Sequence, residues 1–152
     1  MIRRVIHPMA VTFEPFSAAL FVAKEAEFLS IAADIPGDYW QREHFLAELP
    51  EKWTLSFTLF EAGMAIGYAI LSRPEISRVH LHHFMVHAEH RGGGHGGEMI
   101  GECIRRTRAT GAKTLSLKVA ADSSAAQRFY LRHGFAEKSR VGEYLRLECA
   151  LP

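Results

Sequence analysis

The chain has 152 residues, with 18 Lys and Arg against 17 Asp and Glu and a formal net charge of +1. This near-neutral charge gives no reason to expect a nucleic-acid partner, and no apolar stretch is long enough to cross a membrane. The hydrophobic fraction of 48% is ordinary for a globular protein, and we expect a single domain, 1–152. The N-terminus lacks the apolar run of a secretory signal, and Cys103 and Cys149 read as reduced thiols, so a cytoplasmic protein is expected.

In chain order, the apolar spacing first predicts two helices. One covers 16–33, behind Pro15. The second begins after Asp38, whose spacing to Gln41 fits a capping box, and ends before Pro50. The other predicted elements are strands at 53–61, 65–72 and 77–87, a helix at 97–110, a strand at 114–120, a helix at 123–133, and strands at 135–140 and 143–151. This order predicts a mixed sheet with helices on both faces, of the α/β or α+β class.

A glycine-rich loop, RGGGHGG at 91–97, joins a predicted strand to a predicted helix. Glycine loses more backbone entropy on folding than any other residue, so such a run needs a reason. The N-terminus of a helix binds anions through free N–H groups, and Arg91 adds a positive charge. The loop therefore predicts a phosphate site, with a plain flexible turn as the alternative.

Two other kinds of phosphate-binding loop fit this stretch less well. A Walker loop ends in Gly-Lys-Ser/Thr, whereas this loop ends in Gly97, Glu98 and Met99, which argues against an NTPase. The spacing of its glycines also satisfies G-x-G-x-x-G, and Asp122 follows the next strand, as in a dinucleotide-binding domain. That fingerprint usually opens its domain, whereas here three strands precede it.

Two motifs resemble those of the GNAT acetyltransferases. Arg91, Gly94 and Gly96 match the signature loop R-x-x-G-x-G/A, and SSAAQRFYLRHGF at 123–135 resembles the second motif, N-x-x-A-x-x-x-Y-x-x-x-G-F. The residues in register with that second motif are Ala126, Tyr130, Gly134 and Phe135. Ser123 stands where the family usually has asparagine. The resemblance implies a mixed, mostly antiparallel central sheet of six to seven strands, flanked by about four helices.

The resemblance also implies acetyl-CoA, or a related acyl-CoA, as cosubstrate, with its pyrophosphate in the glycine loop and its pantetheine arm along the strand at 84–86. The residues expected to hold it are Phe84, Met85, Val86, Arg91, Gly92, Gly93, Gly94, His95, Gly96, Gly97, Ser123 and Ala126. By the same resemblance, the main-chain N–H of Phe84 stabilises the oxyanion, and Tyr130 is the general acid that protonates the leaving thiolate.

The proton acceptor is expected among the histidines of 80–95, with Glu89, Glu143 or a water held by main-chain carbonyls as the alternatives. His80 and His82 alternate along one predicted strand, so both side chains should lie on one face. The stretch resembles the arylalkylamine N-acetyltransferase branch, where an H-x-H pair relays the proton, and histidine titrates near neutrality. We interpret His83, His87 and His90 as strand or surface residues. No Cys or carboxylate lies beside these histidines at a ligand spacing, so no metal is expected.

The acceptor is expected to be a small-molecule primary amine, held by Tyr39 and Trp40 in the segment between the two N-terminal helices. A protein N-terminus or lysine is the alternative acceptor. A non-catalytic acyl-CoA sensor and an NAD-binding domain are the alternatives from other functional classes. Dimers are common in the family, and a homodimer is expected.

Overall fold

The computed structural model describes residues 10–34 and 40–152. The strands are β1 (Val11–Pro15), β2 (Phe57–Glu61), β3 (Met64–Glu75), β4 (Arg78–Val86), β5 (Thr114–Ala120), β6 (Ala136–Val141) and β7 (Tyr144–Ala150). The helices are α1 (Ala18–Ala23), α2 (Glu25–Ala32), α3 (Arg42–Leu46), α4 (Lys52–Leu55), α5 (His95–Ala109) and α6 (Ser124–Arg132). None of the helices in these two ranges is long and apolar enough to cross a membrane.

The seven strands form one sheet in the order β1-β2-β3-β4-β5-β7-β6. Only β4 and β5 run parallel; every other neighbouring pair is antiparallel. This arrangement confirms the predicted mixed, mostly antiparallel sheet. The edge strands are β1, which carries Pro15 where a missing N–H is tolerated, and the charged β6.

Two cores lie on opposite faces of the sheet. The α5-side core contains Met99 and Cys103 of α5 together with Leu81 of β4. The α2-side core contains Phe28 of α2 and Met85 of β4, and it is rich in aromatic rings. Each core buries the apolar face of its helices against the sheet, and this burial is the main favourable term in folding.

The N-terminal third differs most from the sequence prediction. Strand β1 was not predicted, although Val11 and Phe13 alternate towards the α5-side core as a half-buried strand should. The helix predicted at 16–33 is divided at Lys24, whose backbone (φ −125°, ψ 31°) is not helical. Asp38, the predicted cap of the second helix, lies outside the described residues, and α3 begins after Gln41.

Helix α4 occupies residues that the alternation pattern had predicted to be the start of a strand. The buried ammonium of Lys52 donates to the main-chain oxygens of Phe45 and Ala47 at 2.6 and 2.7 Å, which ties α4 to the end of α3. Trp53 stacks on Phe16 with ring centroids 5.9 Å apart. These contacts are distant in sequence, so the local pattern could not predict them.

A β-bulge in β4 shapes the centre of the sheet. Ile70 pairs with His83, whereas the next residue of β3, Leu71, pairs with Leu81, so His82 is an extra residue in β4. A bulge changes which face the following side chains point to. This explains why Leu81 lies in the α5-side core while Met85 lies in the α2-side core.

Candidate active site

Strands β4 and β5 separate in the middle of the sheet. Their pairing runs only from Arg78 and Thr114 to Leu81 and Leu117. Beyond that point β4 continues to Val86 and β5 to Ala120 without pairing to each other. Main-chain N–H and C=O groups need hydrogen-bond partners. The edge of β4 that faces the gap can therefore accept an extended ligand as a substitute strand.

A cavity of about 640 Å³ occupies this gap. Its lining includes Phe84 and Met85 of β4, Val119 of β5, and Tyr130 of α6. Other expected site residues in the lining are His82, Ser123, Ala126 and Trp40. Residues from both faces of the sheet thus meet at one opening. Ser123, Ala126 and Tyr130 of the second motif line it, whereas none of the glycine-loop residues 91–97 does.

Tyr130 lies on the side of the cavity nearest α6. Its ring packs edge-on against Phe84 at 6.2 Å and Phe135 at 5.5 Å. Its hydroxyl has no hydrogen-bond partner among residues 10–34 and 40–152, so it is available to a ligand. Burial, followed by the nearby Cys103, raises the pKa of Tyr130 above its usual value. The phenol therefore keeps its proton, as a general acid must.

The structure places the rings of His80 and His82 together, with centroids 4.7 Å apart. Nε2 of His82 lies 2.6 Å from Oγ of Ser72, and Nδ1 of His80 lies 2.8 Å from Oγ of Ser116. Arg78 donates to the same Ser116 oxygen at 2.9 Å. Since arginine can only donate, the Ser116 proton can point either at Nδ1 of His80 or at the main-chain oxygen of Val79, 3.5 Å away.

Both histidines are neutral at physiological pH. Burial lowers the pKa of His80 to about 3, and it lowers the pKa of His82 to about 4. Nearby charges lower both pKa values further. For His80 these charges are on His82, Arg78, Arg146 and Lys118. For His82 they are on Lys52 and Arg78. These values differ from the near-neutral pKa expected from sequence. A ring with so low a pKa is a weak base at neutral pH, so it can carry a proton only transiently.

The glycine loop follows a 3₁₀ turn at Ala88–His90 and ends at the N-terminus of α5. Gly92 and Gly94 have φ of +82° and +84°, a left-handed conformation that favours glycine. A Cβ on Gly96 would lie 3.2 Å from the ring of Phe129, so close helix packing explains that glycine. Neither reason applies to Gly93, whose Cβ would have only ordinary contacts with the His95 ring.

Charged side chains surround this loop. Arg91, the predicted phosphate ligand, pairs with Asp34 at 2.5 Å, and its Nε donates to the main-chain oxygen of Val86 at 3.1 Å. His95 begins α5, and its Nδ1 is buried without a hydrogen-bond partner among the described residues. Its Nε2 lies 4.0 Å from Glu61. The loop thus presents a fixed cation and a helix N-terminus side by side.

The predicted acceptor side is only partly described. Tyr39 lies outside the described residues. Trp40 stacks on His83 with centroids 4.5 Å apart, and His83 bonds to the Tyr68 hydroxyl at 2.7 Å through Nδ1. His83 is therefore a buried strand residue, as its sequence interpretation held, but it also lines the cavity.

Sequence reasoning did not assign Lys118 or Tyr144 to the site. It named Glu143 only as an alternative base and Asp122 only as part of a dinucleotide-binding pattern. All four residues line the cavity. The alternation of β5 could have revealed Lys118, since Leu117 and Val119 are buried on the other face. No group of three or more potential metal-ligating side chains occurs within the two ranges that the structure describes.

The lowered pKa values predict how stability depends on pH. Between about pH 4 and 6.5 the unfolded histidines bind protons that the folded ones do not, so the free energy of unfolding falls as the pH is lowered through this window. Each site contributes a slope of at most about 1.4 kcal/mol per pH unit. Urea unfolding from pH 7 to 4 should show a shallower slope for the H80Q/H82Q variant. Equal slopes for variant and wild type would contradict the lowered pKa values.

Comparison with known proteins gives the family. The model of the acetyltransferase (GNAT) family matches residues 22–135, well over half of the chain. No curated protein sequence matches the chain.

Solved structures share the fold. Ard1 from Thermoplasma volcanium has a TM-score of 0.81 at 19% identity, over 94% of this chain and 99% of that chain. The ribosomal-protein-S18-alanine N-acetyltransferase from Escherichia coli has a TM-score of 0.79 at 18% identity, over 93% and 94%. The NatC complex bound to Gag peptide and CoA has a TM-score of 0.79 at 17% identity, over 95% and 100%. The chain belongs to the GNAT family of acetyltransferases, and it is an acyltransferase whose donor is acetyl-CoA.

Proposed function

We propose that the protein transfers the acetyl group of acetyl-CoA to a primary amine by direct attack on the thioester, within the gap between β4 and β5. The observation that carries the proposal is the single cavity shared by Tyr130, His82 and the unpaired edge of β4. An acid, a proton relay and main-chain donors are the groups that this reaction requires. All three groups border the same cavity, so no rearrangement of the fold is needed to bring them together.

The residues present fit the donor. The main-chain edge at 84–86 is not paired with β5 and can hold an extended amide chain, although the Val86 oxygen already accepts from Nε of Arg91. The N-terminus of α5 can hold the pyrophosphate. Arg91 adds a positive charge beside the same loop. Ser123 and Ala126 line the cavity at the start of α6, where small side chains leave room for the thioester arm.

Each protein group has a distinct task in the proposed reaction. The amine attacks the thioester carbon after losing its proton to the relay formed by His82 and His80. A main-chain N–H of the unpaired β4 edge, which we assign to Phe84, stabilises the negative charge on the carbonyl oxygen. Tyr130 then gives its proton to the departing sulfur, and the buried setting of its ring keeps that proton in place beforehand.

The proposed acceptor is a small primary amine that contacts Tyr39 and Trp40. A second candidate is the N-terminal amine of a protein, which is supported by two of the structural neighbours: one acetylates an alanine of ribosomal protein S18, and one was solved with a peptide. Free-thiol release should be measured with small amines, with peptides that have free or blocked N-termini, and with lysine side chains. The acceptor class is the one that supports turnover. Release with no amine at all would contradict the proposed reaction.

Gly93→Ala tests the phosphate loop. The added methyl group fits within the protein, so the free energy of unfolding should change by less than about 1 kcal/mol. If the pyrophosphate lies against the main chain there, the KM for acetyl-CoA should rise by about 10- to 100-fold, the value of one or two charge-assisted hydrogen bonds. Steady-state kinetics and urea unfolding measure the two effects.

Gly101→Ala is the matched control, because it lies within α5 and its Cβ would contact nothing within 4 Å. It should stabilise the helix by about 0.5–1 kcal/mol and leave the KM unchanged. Substitution of Gly94 is a poorer test, since its φ of +84° strains any side chain. A folded Gly93→Ala variant with wild-type affinity for acetyl-CoA would show that the pyrophosphate does not lie against this part of the loop.

Tyr130→Phe tests the acid. The substitution keeps the packing against Phe84 and Phe135 and removes only the hydroxyl. The kcat should fall by roughly 10²–10⁴-fold while the affinity for acetyl-CoA stays close to that of the wild type. Single-turnover kinetics separates this loss from slow product release. A variant with wild-type single-turnover rates would show that the sulfur leaves without help from Tyr130.

A further inference from the structure

The two histidines lie in a cationic part of the sheet. Arg78, Lys118 and Arg146 all act on His80 and lower its pKa. They come from three adjacent strands, and Lys118 pairs directly with Arg146 in the ladder between β5 and β7. Positive charge next to a proton relay disfavours a protonated amine and attracts a negative group. Two carboxylates, Asp122 and Glu143, line the same cavity. The site therefore suits a substrate that carries charges of both signs.

Most of these cations already have partners. Arg78 donates to Ser116 and pairs with Glu75 at 3.1 Å. Arg146 pairs with Glu148 at 3.1 Å. Lys118 is exposed, and within residues 10–34 and 40–152 it has neither an ion pair nor a hydrogen bond. Among the residues that line the cavity it is also the sole Lys or Arg.

Lys118 lies near His82 and away from the glycine loop. If the pairing of β4 with β5 continued past Leu81 and Leu117, His82 would lie opposite Lys118. Leu117 and Val119 point into the α5-side core, so Lys118 points to the opposite face, where Ser116 meets His80. The glycine loop leads into α5 on the other face. The Lys118 ammonium thus faces the acceptor rather than the pyrophosphate.

We propose that Lys118 binds a carboxylate on the acceptor, so that the preferred substrate is an amine that also carries an acidic group. This inference rests on the proposed acetylation of a primary amine and narrows its substrate class. A carboxylate held at Lys118 places the amine of the same molecule near His82 across the gap. A free amino acid and an acidic residue near a peptide N-terminus supply the same chemistry.

The test compares kcat/KM for amines that differ only in their charge. One arm pairs small ω-amino acids with the corresponding amides, and a second arm pairs peptides that carry Glu with peptides that carry Gln near a free N-terminus. The wild type should prefer the acid of each pair by about tenfold or more, mainly through KM. The arm with the larger preference identifies the source of the carboxylate. Because Lys118 is exposed, the preference should weaken as salt is raised.

Lys118→Gln should abolish the preference for the acid, and Lys118→Arg should keep most of it. The KM for acetyl-CoA should not change in either variant. Lys138→Gln, on the exposed edge strand β6, is the matched control and should retain the full preference. Equal turnover of acid and amide in the wild type, or an unchanged preference in Lys118→Gln, would overturn the inference while the acetylation of amines stands. Thiol release with no amine would overturn both proposals.

Discussion

The end of the pairing between β4 and β5 is the constraint on which the site depends. A parallel pair within an otherwise antiparallel sheet ends at Leu81 and Leu117, and the bulge at His82 lies where β4 turns away. Had the ladder continued, main-chain groups would be saturated and no cavity would pass through the sheet. The two cores hold the separated strands apart, since Leu117 and Met85 are anchored on opposite faces. The cavity thus exists because β4 and β5 pair over only part of their length.

The electrostatic setting of the site follows from the same geometry. Separation of the strands leaves the histidines half-buried, and desolvation is the main cause of their lowered pKa values. Cations beside these imidazoles disfavour a second positive charge, so an ammonium placed there has a lower pKa than in water. The tyrosine on the opposite wall is kept protonated by its own burial. Burial thus has one effect on both kinds of group: it disfavours the charged form, which keeps the histidines neutral and the tyrosine protonated.

The sequence allowed much of the fold to be predicted, including the loop and the motif where the donor is proposed to bind, but less of the acceptor side. The glycine loop, the helix after it and the motif around Tyr130 depend on local rules, such as left-handed glycines and regular spacing, which a sequence displays directly. Strand β1 and helix α4 depend on distant partners, such as the oxygens of α3 that hold Lys52. The histidine pKa values and the unpaired state of Lys118 depend on burial and neighbours from several strands, which periodicity does not reveal.

The ion pair between Arg91 and Asp34 affects how an anion would enter the glycine loop. An anion there competes with the Asp34 carboxylate for the guanidinium. Both side chains of the pair are partly exposed, so exchanging one carboxylate partner for another anion costs at most about 1 kcal/mol. Asp34 thereby holds the guanidinium beside the loop in the absence of an anion, at little expense when one arrives.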